Sequence, residues 1–514
     1  MQEWNNSMNN RTQVTIKNSV IILVINIVNI LVNFISRKIF LDYIGLEFLG
    51  ISGVFANVLT LLSLSDLGIN TAITFQLFKP VSENNVPKIK QLVRIFDRYY
   101  RNIAFGIIGI GLIFSLIVPL LIKDSGSSLN ALRLFFILQL ATSVSSYLFA
   151  SRKTLLFAHH KQYLVVINDA IMNFVFTLLR IVIMLVYQDY TLFLIIGLLQ
   201  IVVSNTIIAL YSRRYFSYLE DKSIVATDDK VEILHDMKQM SVGSIASFIY
   251  SSTDNLIISS VLGVQNVGLL MNYKLIPAIL IDITSNVFKP VQAAIGNLVN
   301  EKDSDSIQLD TYHIYTFIRF VIANYFFIAI VLLTNPFIDI WFGEKYVLSN
   351  VTTLLIALDM YLYLMQGPAN EFIISKGLFR YEKLILIIGA LTNLSLSLIL
   401  VHYLGLNGVL YGTVISQLFY FTGRHRLVFN RVFHQSFLPY FKKSLLYFSV
   451  TLIECFTLYW LFNRLFYVQN LLMLVLSGLG LTLIINAIIF LLFYRQHELK
   501  YLLKVGLNIV HLKK

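Results

Sequence analysis

The chain has 514 residues, of which 57% are hydrophobic and 13% charged, with a formal net charge of +12 and one cysteine. A soluble protein of this size has about 25% charged residues, so the composition excludes an ordinary soluble multidomain protein. The basic residues lie in short segments between apolar runs, which excludes nucleic-acid binding as the reason for the positive charge. Cys455 alone forms neither an intrachain disulfide nor a thiolate cluster. No nucleotide-binding or zinc-protease motif occurs, so we expect a protein that is not an enzyme and has no metal or cofactor.

Apolar runs of about 20 residues, the length that crosses a bilayer, recur along the whole chain. They predict an all-α polytopic membrane protein with about fourteen transmembrane helices. The predicted spans are 19–36, 49–75, 102–122, 134–151, 164–187, 191–211, 241–262, 269–288, 313–334, 350–372, 384–403, 408–423, 444–462 and 471–494. With the N-terminus inside, 31 of the 40 Lys and Arg residues fall in cytoplasmic segments and six in outer segments, which predicts an N-in, C-in topology. We expect the first span to remain as a signal anchor, because no small-residue cleavage site follows it.

Two short sequences recur in the second half of the chain. Residues 45–50 follow the first span and residues 263–268 follow the seventh, each run beginning and ending with glycine, at a spacing of 218. The sequence Phe-Lys-Pro occurs at 78–80 and again at 288–290. Because six spans separate the copies, we predict two six-helix bundles in a parallel repeat. The predicted segments are a cytoplasmic N-terminus 1–18, the bundles 19–211 and 241–423, a cytoplasmic linker 212–240 between them, a cytoplasmic loop 424–443, two extra transmembrane helices 444–494 and an amphipathic cytoplasmic tail 495–514.

Two predicted helices carry matched polar faces. In the first span and its extension to Arg37, four polar residues spaced at three or four positions lie on one face of a helix. They are Asn26, Asn29, Asn33 and Arg37, and their counterparts 218 positions later are Ser244, Ser247, Ser251 and Asn255. Lipid does not satisfy carboxamide or hydroxyl groups, so each face is expected to meet protein or water. We interpret the two faces as walls of one central cavity, to which Tyr250 also belongs.

The first hundred residues carry the most specific pattern. It consists of YIGLEFLG at 43–50, LSLSDLGI at 62–69 and the Phe-Lys-Pro at 78–80. With the fourteen spans and the six-plus-six repeat, it resembles the multidrug/oligosaccharidyl-lipid/polysaccharide exporter (MOP) superfamily, and within it the polysaccharide-transporter branch of Wzx-type flippases. The resemblance implies export of an undecaprenyl-pyrophosphate-linked oligosaccharide across the bacterial cytoplasmic membrane, for O-antigen, capsule or exopolysaccharide synthesis. It also implies the lipid-linked oligosaccharide, membrane lipids and polysaccharide polymerase machinery as partners.

Charges inside apolar spans are costly, so each is a functional candidate. The basic candidates for substrate binding are Arg37, Arg180, Lys274 and Arg319. Lys274 either holds a pyrophosphate oxygen, forms an ion pair with Asp254 on the preceding helix, or extends toward the outer face of the membrane. Arg37 either lines the cavity or anchors a helix end, and Arg180 needs a partner from another helix. Arg319 either binds substrate or extends to the cytoplasm.

Acidic residues inside the spans are candidates for coupling to H⁺ or Na⁺. They are Asp254, Asp359 and Asp66, of which Asp66 alternatively pairs with Arg37 or breaks its helix before Gly68. The membrane potential is a further driving force, because moving one negative charge outward gains roughly 2.3 kcal/mol per 100 mV. We therefore expect potential-driven alternating access between the two bundles.

Three other functions fit the same composition. A lipid II flippase of the same superfamily shares the fourteen spans, and a cation-coupled multidrug antiporter shares the bundles. A membrane scaffold that does not transport is the third. The extra spans thirteen and fourteen either pack against the prenyl tail or only widen the fold. We expect a monomer, because each half has enough apolar length to form its own bundle.

Overall fold

The computed structural model describes residues 28–63, 69–159, 161–220, 253–299, 301, 305–465 and 468–511. All regular secondary structure in these residues is helical. The chain divides into two compact units, Met1–Phe248 and Ile249–Lys514. The division falls close to the boundary between the two bundles that the sequence predicts.

Unit 1 contains eight helices in its described part, several of which begin with a side chain that caps the free backbone N–H groups of the first turn. Ser128, for example, accepts a hydrogen bond from the N–H of Ala131, and Asp189 accepts one from the N–H of Leu192. The helices are α1 Val28–Tyr43, α2 Leu46–Leu62, α3 Ile69–Ser82, α4 Val86–Ile117, α5 Leu129–Tyr147, α6 Ala150–Ala158, α7 Gln162–Val186 and α8 Tyr190–Tyr215.

Unit 2 continues with ten helices in its described part. Two of them, α14 (Phe379–Leu404) and α15 (Leu406–Val428), approach so closely that a Cβ at Gly408 would lie 2.1 Å from the carbonyl oxygen of Leu400. Small residues permit such an approach between membrane helices. The helices are α9 253–262, α10 Val264–Leu298, α11 Asp305–Phe342, α12 Asn350–Met365, α13 Gly367–Ser375, α14 Phe379–Leu404, α15 Leu406–Val428, α16 Leu438–Leu465, α17 Leu471–Phe493 and α18 His497–His511.

Nine helices of the described chain are long and apolar enough to cross a membrane, and the bent pair α1 and α2, at 120°, brings the number to ten. The predicted class, an all-α polytopic membrane protein, is confirmed. Each predicted span falls on a helix or helix pair where the structure describes it. The tenth span is broken between Met365 and Gly367. Pro368 has no N–H for the helix ladder and therefore stands in the first turn of α13.

The two glycines that open the repeated sequences have the same local structure. Gly45 precedes α2 with φ 108° and ψ 166°, and Gly263 precedes α10 with φ 90° and ψ 155°. Residues other than glycine rarely adopt such positive φ angles. The 218-residue spacing therefore reproduces, in each unit, a glycine of positive φ directly before a helix, which supports the internal repeat.

Candidate functional site

In unit 1, part of the polar face of α1 packs against α7. The Nδ2 of Asn173 donates to Oδ1 of Asn29 at 3.1 Å, and Nδ2 of Asn29 donates to the carbonyl of Ala170 at 3.5 Å. Eleven residues further along α1, the ring of Phe40 meets Tyr190 at the start of α8, with the centroids 6.1 Å apart. The two helices α1 and α7 therefore run in the same direction, as the first and fifth spans of the predicted topology should.

Arg180 of α7 is held by one face of α8. Its guanidinium lies 5.1 Å from the ring of Phe193, and its Nη2 donates to Oε1 of Gln200 at 2.6 Å. Gly197 stands between these two, and a Cβ there would lie 3.0 Å from the same Nη2. The three α8 residues follow an i, i+4, i+7 spacing, so they form one cradle. The Nε of Arg180 is buried and has no hydrogen-bond partner in the described part of the chain.

Arg37 and Arg180 lie at a similar height in unit 1. From the Asn29–Asn173 contact, Arg37 is eight residues along α1 and Arg180 seven along α7, a rise of about 12 and about 10 Å. The ring of Phe40, one turn after Arg37, packs with its centroid 5.0 Å from that of Phe193. Phe193 in turn contacts the guanidinium of Arg180. Among the described residues, neither guanidinium has a carboxylate within ion-pair distance. Within the described part of the chain, this neighbourhood therefore holds two positive charges that no carboxylate pairs with.

In unit 2, Lys274 pairs with Asp254. The Nζ of Lys274 is 3.2 Å from Oδ2 of Asp254, the ion pair that the sequence left as one alternative for this lysine. The same oxygen accepts from the hydroxyl of Thr413 at 3.2 Å, and Asn393 donates to that hydroxyl at 3.2 Å. Asp254 is 3% exposed and its Oδ1 has no partner, whereas the Lys274 side chain is 37% exposed.

Asp359 belongs to a second chain of hydrogen-bonded polar side chains. Like the first, this chain passes through helix α15. Gln417 donates to Oδ1 of Asp359 at 2.8 Å, and Gln366 donates to Gln417 at 2.6 Å. Arg424 completes the chain by donating to Gln366 at 2.8 Å and to Glu382 at 2.8 Å. The two members of this chain on α15, Gln417 and Arg424, are seven positions apart and therefore lie on one face of the helix. The chain connects two carboxylates through groups that sequence reasoning did not single out.

Arg319 is enclosed within unit 2. It is 7% exposed, donates through Nε to the hydroxyl of Tyr315 at 2.9 Å, and lies 4.1 Å from the ring of Phe288. Its Nη2 is 3.9 Å from a carboxylate oxygen of Glu371. A Cβ at Gly367 would lie 2.6 Å from Nε, so the break between α12 and α13 makes room for the guanidinium. The charge of Arg319 is therefore countered by its own unit.

The remaining predicted site residues belong to none of these contacts. Asn33 is exposed on α1, next to the Asn29 contact. Five others lie outside the described residues or have no described side chain: Asn26, Asp66, Ser247, Tyr250 and Ser251. The central cavity and the roles of these side chains stay predictions. The described residues contain no group of three metal-ligating side chains.

Comparison with known proteins identifies the fold. Neither a protein-family model nor a curated protein matches the sequence. Solved structures match along most of their length. The lipid II flippase MurJ, in an inward closed conformation, aligns with a TM-score of 0.66 at 14% identity, over 93% of this chain and 100% of that one.

Two transporter structures align with somewhat lower scores. An inward-facing multidrug resistance MATE family transporter of the MOP superfamily gives a TM-score of 0.54 at 16% identity, over 77% of this chain and 94% of the other. A MATE structure in complex with MaL6 gives 0.52 at 14% identity, over 80% and 96%. The chain therefore has the fold of membrane flippases and transporters of this type.

Proposed function

We propose that this protein is a MOP-superfamily flippase that moves an undecaprenyl-pyrophosphate-linked oligosaccharide from the inner to the outer leaflet of the bacterial cytoplasmic membrane by alternating access. The observation that carries the proposal is a pair of cations, Arg37 and Arg180, that lie on neighbouring helices of unit 1 and have no carboxylate partner among the described residues. The motifs at 43–50, 62–69 and 78–80 support the polysaccharide branch. The expected partners are the lipid-linked oligosaccharide, membrane lipids and a polysaccharide polymerase, and the expected state is a monomer.

An anionic diphosphate is the ligand that these two cations suit. A guanidinium presents N–H donors in a planar fork that matches phosphate oxygens. In a membrane span, a charge without a partner is expensive and is retained where function requires it. The free Nε of Arg180 offers one such donor. In unit 2, by contrast, Lys274 and Arg319 already face Asp254 and Glu371, so we place the diphosphate in unit 1.

Unit 2 has an apolar surface that suits a prenyl tail. An apolar groove of about 350 Å³ lies between α10, α11 and α17. Its wall includes Val287, Val321 and Ile485. Helix α17 corresponds to predicted span fourteen, outside the six-plus-six repeat. We propose that this groove binds part of the prenyl tail. Only the diphosphate head group and the glycan then need a polar path.

We propose that the membrane potential drives export. The diphosphate is anionic, so an inside-negative potential drives it outward, and each uncompensated negative charge that crosses gains roughly 2.3 kcal/mol per 100 mV. Asp254 and Asp359 are the candidates for added coupling to H⁺ or Na⁺. Both are bonded to α15, so a change in the protonation or ligation of either acid would act on the same helix.

A second candidate is a lipid II flippase, which the MurJ alignment favours by covering both chains almost completely. Lipid II also carries a diphosphate, so the same cations would serve. A multidrug antiporter for cationic drugs is less compatible, because Arg37 and Arg180 repel a cation. Complementation of a strain depleted of its lipid II flippase distinguishes the first two functions: growth supports lipid II, and no growth with the protein present in the membrane supports another glycan.

Flipping in proteoliposomes tests the proposal. The substrate is an undecaprenyl-pyrophosphate lipid with a short glycan, and the Arg37→Ala variant is compared with wild type. Lys38→Ala is the matched control, because Lys38 lies on the same helix but pairs with Asp42 at 3.6 Å. We expect wild type and Lys38→Ala to move the lipid and Arg37→Ala to lose most of the activity. Equal activity of all three proteins would place the diphosphate elsewhere.

A further inference from the structure

Outside the candidate site, unit 2 contains a buried carboxyl group in a transmembrane helix. Glu454 lies on α16 and is 4% exposed, and its only hydrogen-bond partner in the described chain is Asn324 of α11, which is 0% exposed. The Nδ2 of Asn324 donates to Oε2 of Glu454 at 2.9 Å. No ion pair to Glu454 occurs among the described residues. A carboxylate in this place would be a buried charge without a counter-ion, which is strongly unfavourable.

Two atoms of this pair have no hydrogen-bond partner among the residues that the structure describes. They are Oε1 of Glu454 and Oδ1 of Asn324, one from each group, and both are buried acceptors. Two acceptors cannot bond to each other unless one of them carries a hydrogen. A proton on Glu454 supplies that hydrogen, and the carboxylic acid and the carboxamide then form a closed pair with two hydrogen bonds. The proton removes the buried charge and satisfies both atoms at once.

We propose that Glu454 and Asn324 form a proton-binding site between α11 and α16, with Glu454 carrying the proton at neutral pH. The titratable groups around the pair do not compete for this role. Cys455 follows Glu454 in the chain, and Tyr361 and Tyr447 pack on the same helices. The nearest basic group on α11, Arg319, is directed to Glu371. The inference does not depend on which lipid the protein moves.

Infrared difference spectroscopy of the full chain in lipid nanodiscs at neutral pH tests the site. The spectrum of wild type minus Glu454→Gln should contain the carbonyl band of a protonated, hydrogen-bonded carboxyl group. Asn324→Leu should shift this band to higher frequency, since the acid then loses its partner. Glu382→Gln is the matched control: Glu382 is buried but bonded to Arg424 at 2.8 Å, so its difference spectrum should show carboxylate bands.

Each result of this experiment decides the proposal. Carboxylate bands in the Glu454→Gln difference spectrum would overturn it, because Glu454 would then be ionised and a water or an ion would satisfy the free atoms. Glutamine at position 454 reproduces both proposed hydrogen bonds, so this variant should fold and retain the thermal stability of wild type. Failure of Glu454→Gln to fold would therefore also overturn the proposal.

Discussion

The ammonium of Lys274 lies 3.2 Å from Oδ2 of Asp254 and compensates a carboxylate that is almost completely buried. The lysine side chain itself is more than a third exposed, so the pair has one buried and one accessible member. Thr413 holds the same carboxylate oxygen from α15. The pair connects α9, α10 and α15 and fixes where the lysine charge stands.

Removing the lysine charge should destabilise unit 2. Lys274→Met leaves Asp254 buried and uncompensated, and breaking a buried ion pair costs 3–5 kcal/mol. We expect about 3 kcal/mol, the low end, because Lys274 is partly exposed. The double variant Lys274→Met/Asp254→Asn should recover most of the loss, which thermal unfolding of the purified proteins measures. Equal unfolding temperatures of wild type and Lys274→Met would show that the ion pair does not stabilise the unit.

Glycine 197 should be required for the position of Arg180. Gly197→Ala places a Cβ 3.0 Å from Nη2, and the guanidinium must shift by a few tenths of an ångström. Small displacements of a positioning group are costly in rate, so we expect flipping to slow about tenfold with folding intact. Gly109→Ala, in α4 of the same unit, is the control, since nothing lies within 4 Å of its Cβ position. A rate equal to that of the control would remove Arg180 from the substrate path.

The contact between α14 and α15 should tolerate no side chain at position 408. The Cβ of Gly408→Ala would meet the backbone oxygen of Leu400 at 2.1 Å, and a backbone atom has little freedom to move away. Overpacking costs typically 1–3 kcal/mol, and we expect about 3 kcal/mol here. Gly480→Ala, in open space on α17, should leave the unfolding temperature unchanged. A stable Gly408→Ala variant would contradict the close packing of these helices.

Docking of α18 should depend on pH through Glu498. Burial opposes ionisation of this carboxyl, but the hydrogen bond and positive charge of Lys443, a backbone hydrogen bond at Glu498 and the charge of His313 together outweigh it and lower the pKa of Glu498 below its ordinary value. The ionised group therefore stabilises docking above the pKa of a free glutamate, about 4.3, and this stabilisation is lost as the pH falls through the lower pKa of the docked state.

Hydrogen exchange of residues 497–504 measures this effect. After correction for the intrinsic pH dependence of exchange, protection should fall on acidification in wild type. Protection in Glu498→Gln should be weaker at neutral pH and should change little with pH. Identical pH profiles of the two proteins would mean that the Lys443–Glu498 pair does not hold the helix.

Much of the fold follows from sequence patterns with a strong physical cause. Apolar length predicts the helices because lipid leaves the backbone no other partner, and the paired glycines Gly45 and Gly263 predict two equivalent turns because few residues adopt their φ angles. The sequence also predicts the Lys274–Asp254 ion pair as one alternative, since a buried charge needs a partner. Which partner each charge chooses depends on long-range packing, which periodicity does not encode.

The cradle of Arg180 illustrates this limit. Phe193, Gly197 and Gln200 share one face of α8, but the same spacing fits any helix contact, and only the tertiary structure brings them to the guanidinium. Asn324 and Glu454 are 130 positions apart and belong to no motif. Polar pairs of this kind come from helices that meet only after folding, so a single sequence predicts their cost but not their partner.

Binding of an isoprenyl diphosphate without a glycan tests the central claim most directly. The affinity of the purified full chain for a short-chain isoprenyl diphosphate is measured for wild type, Arg37→Ala, Arg180→Ala and the control Lys38→Ala. A hydrogen bond to a charged group contributes about 1.5–3 kcal/mol, so each arginine variant should bind about tenfold more weakly or worse, while Lys38→Ala binds like wild type. Equal affinities for wild type and both arginine variants would contradict a diphosphate site formed by Arg37 and Arg180 of unit 1.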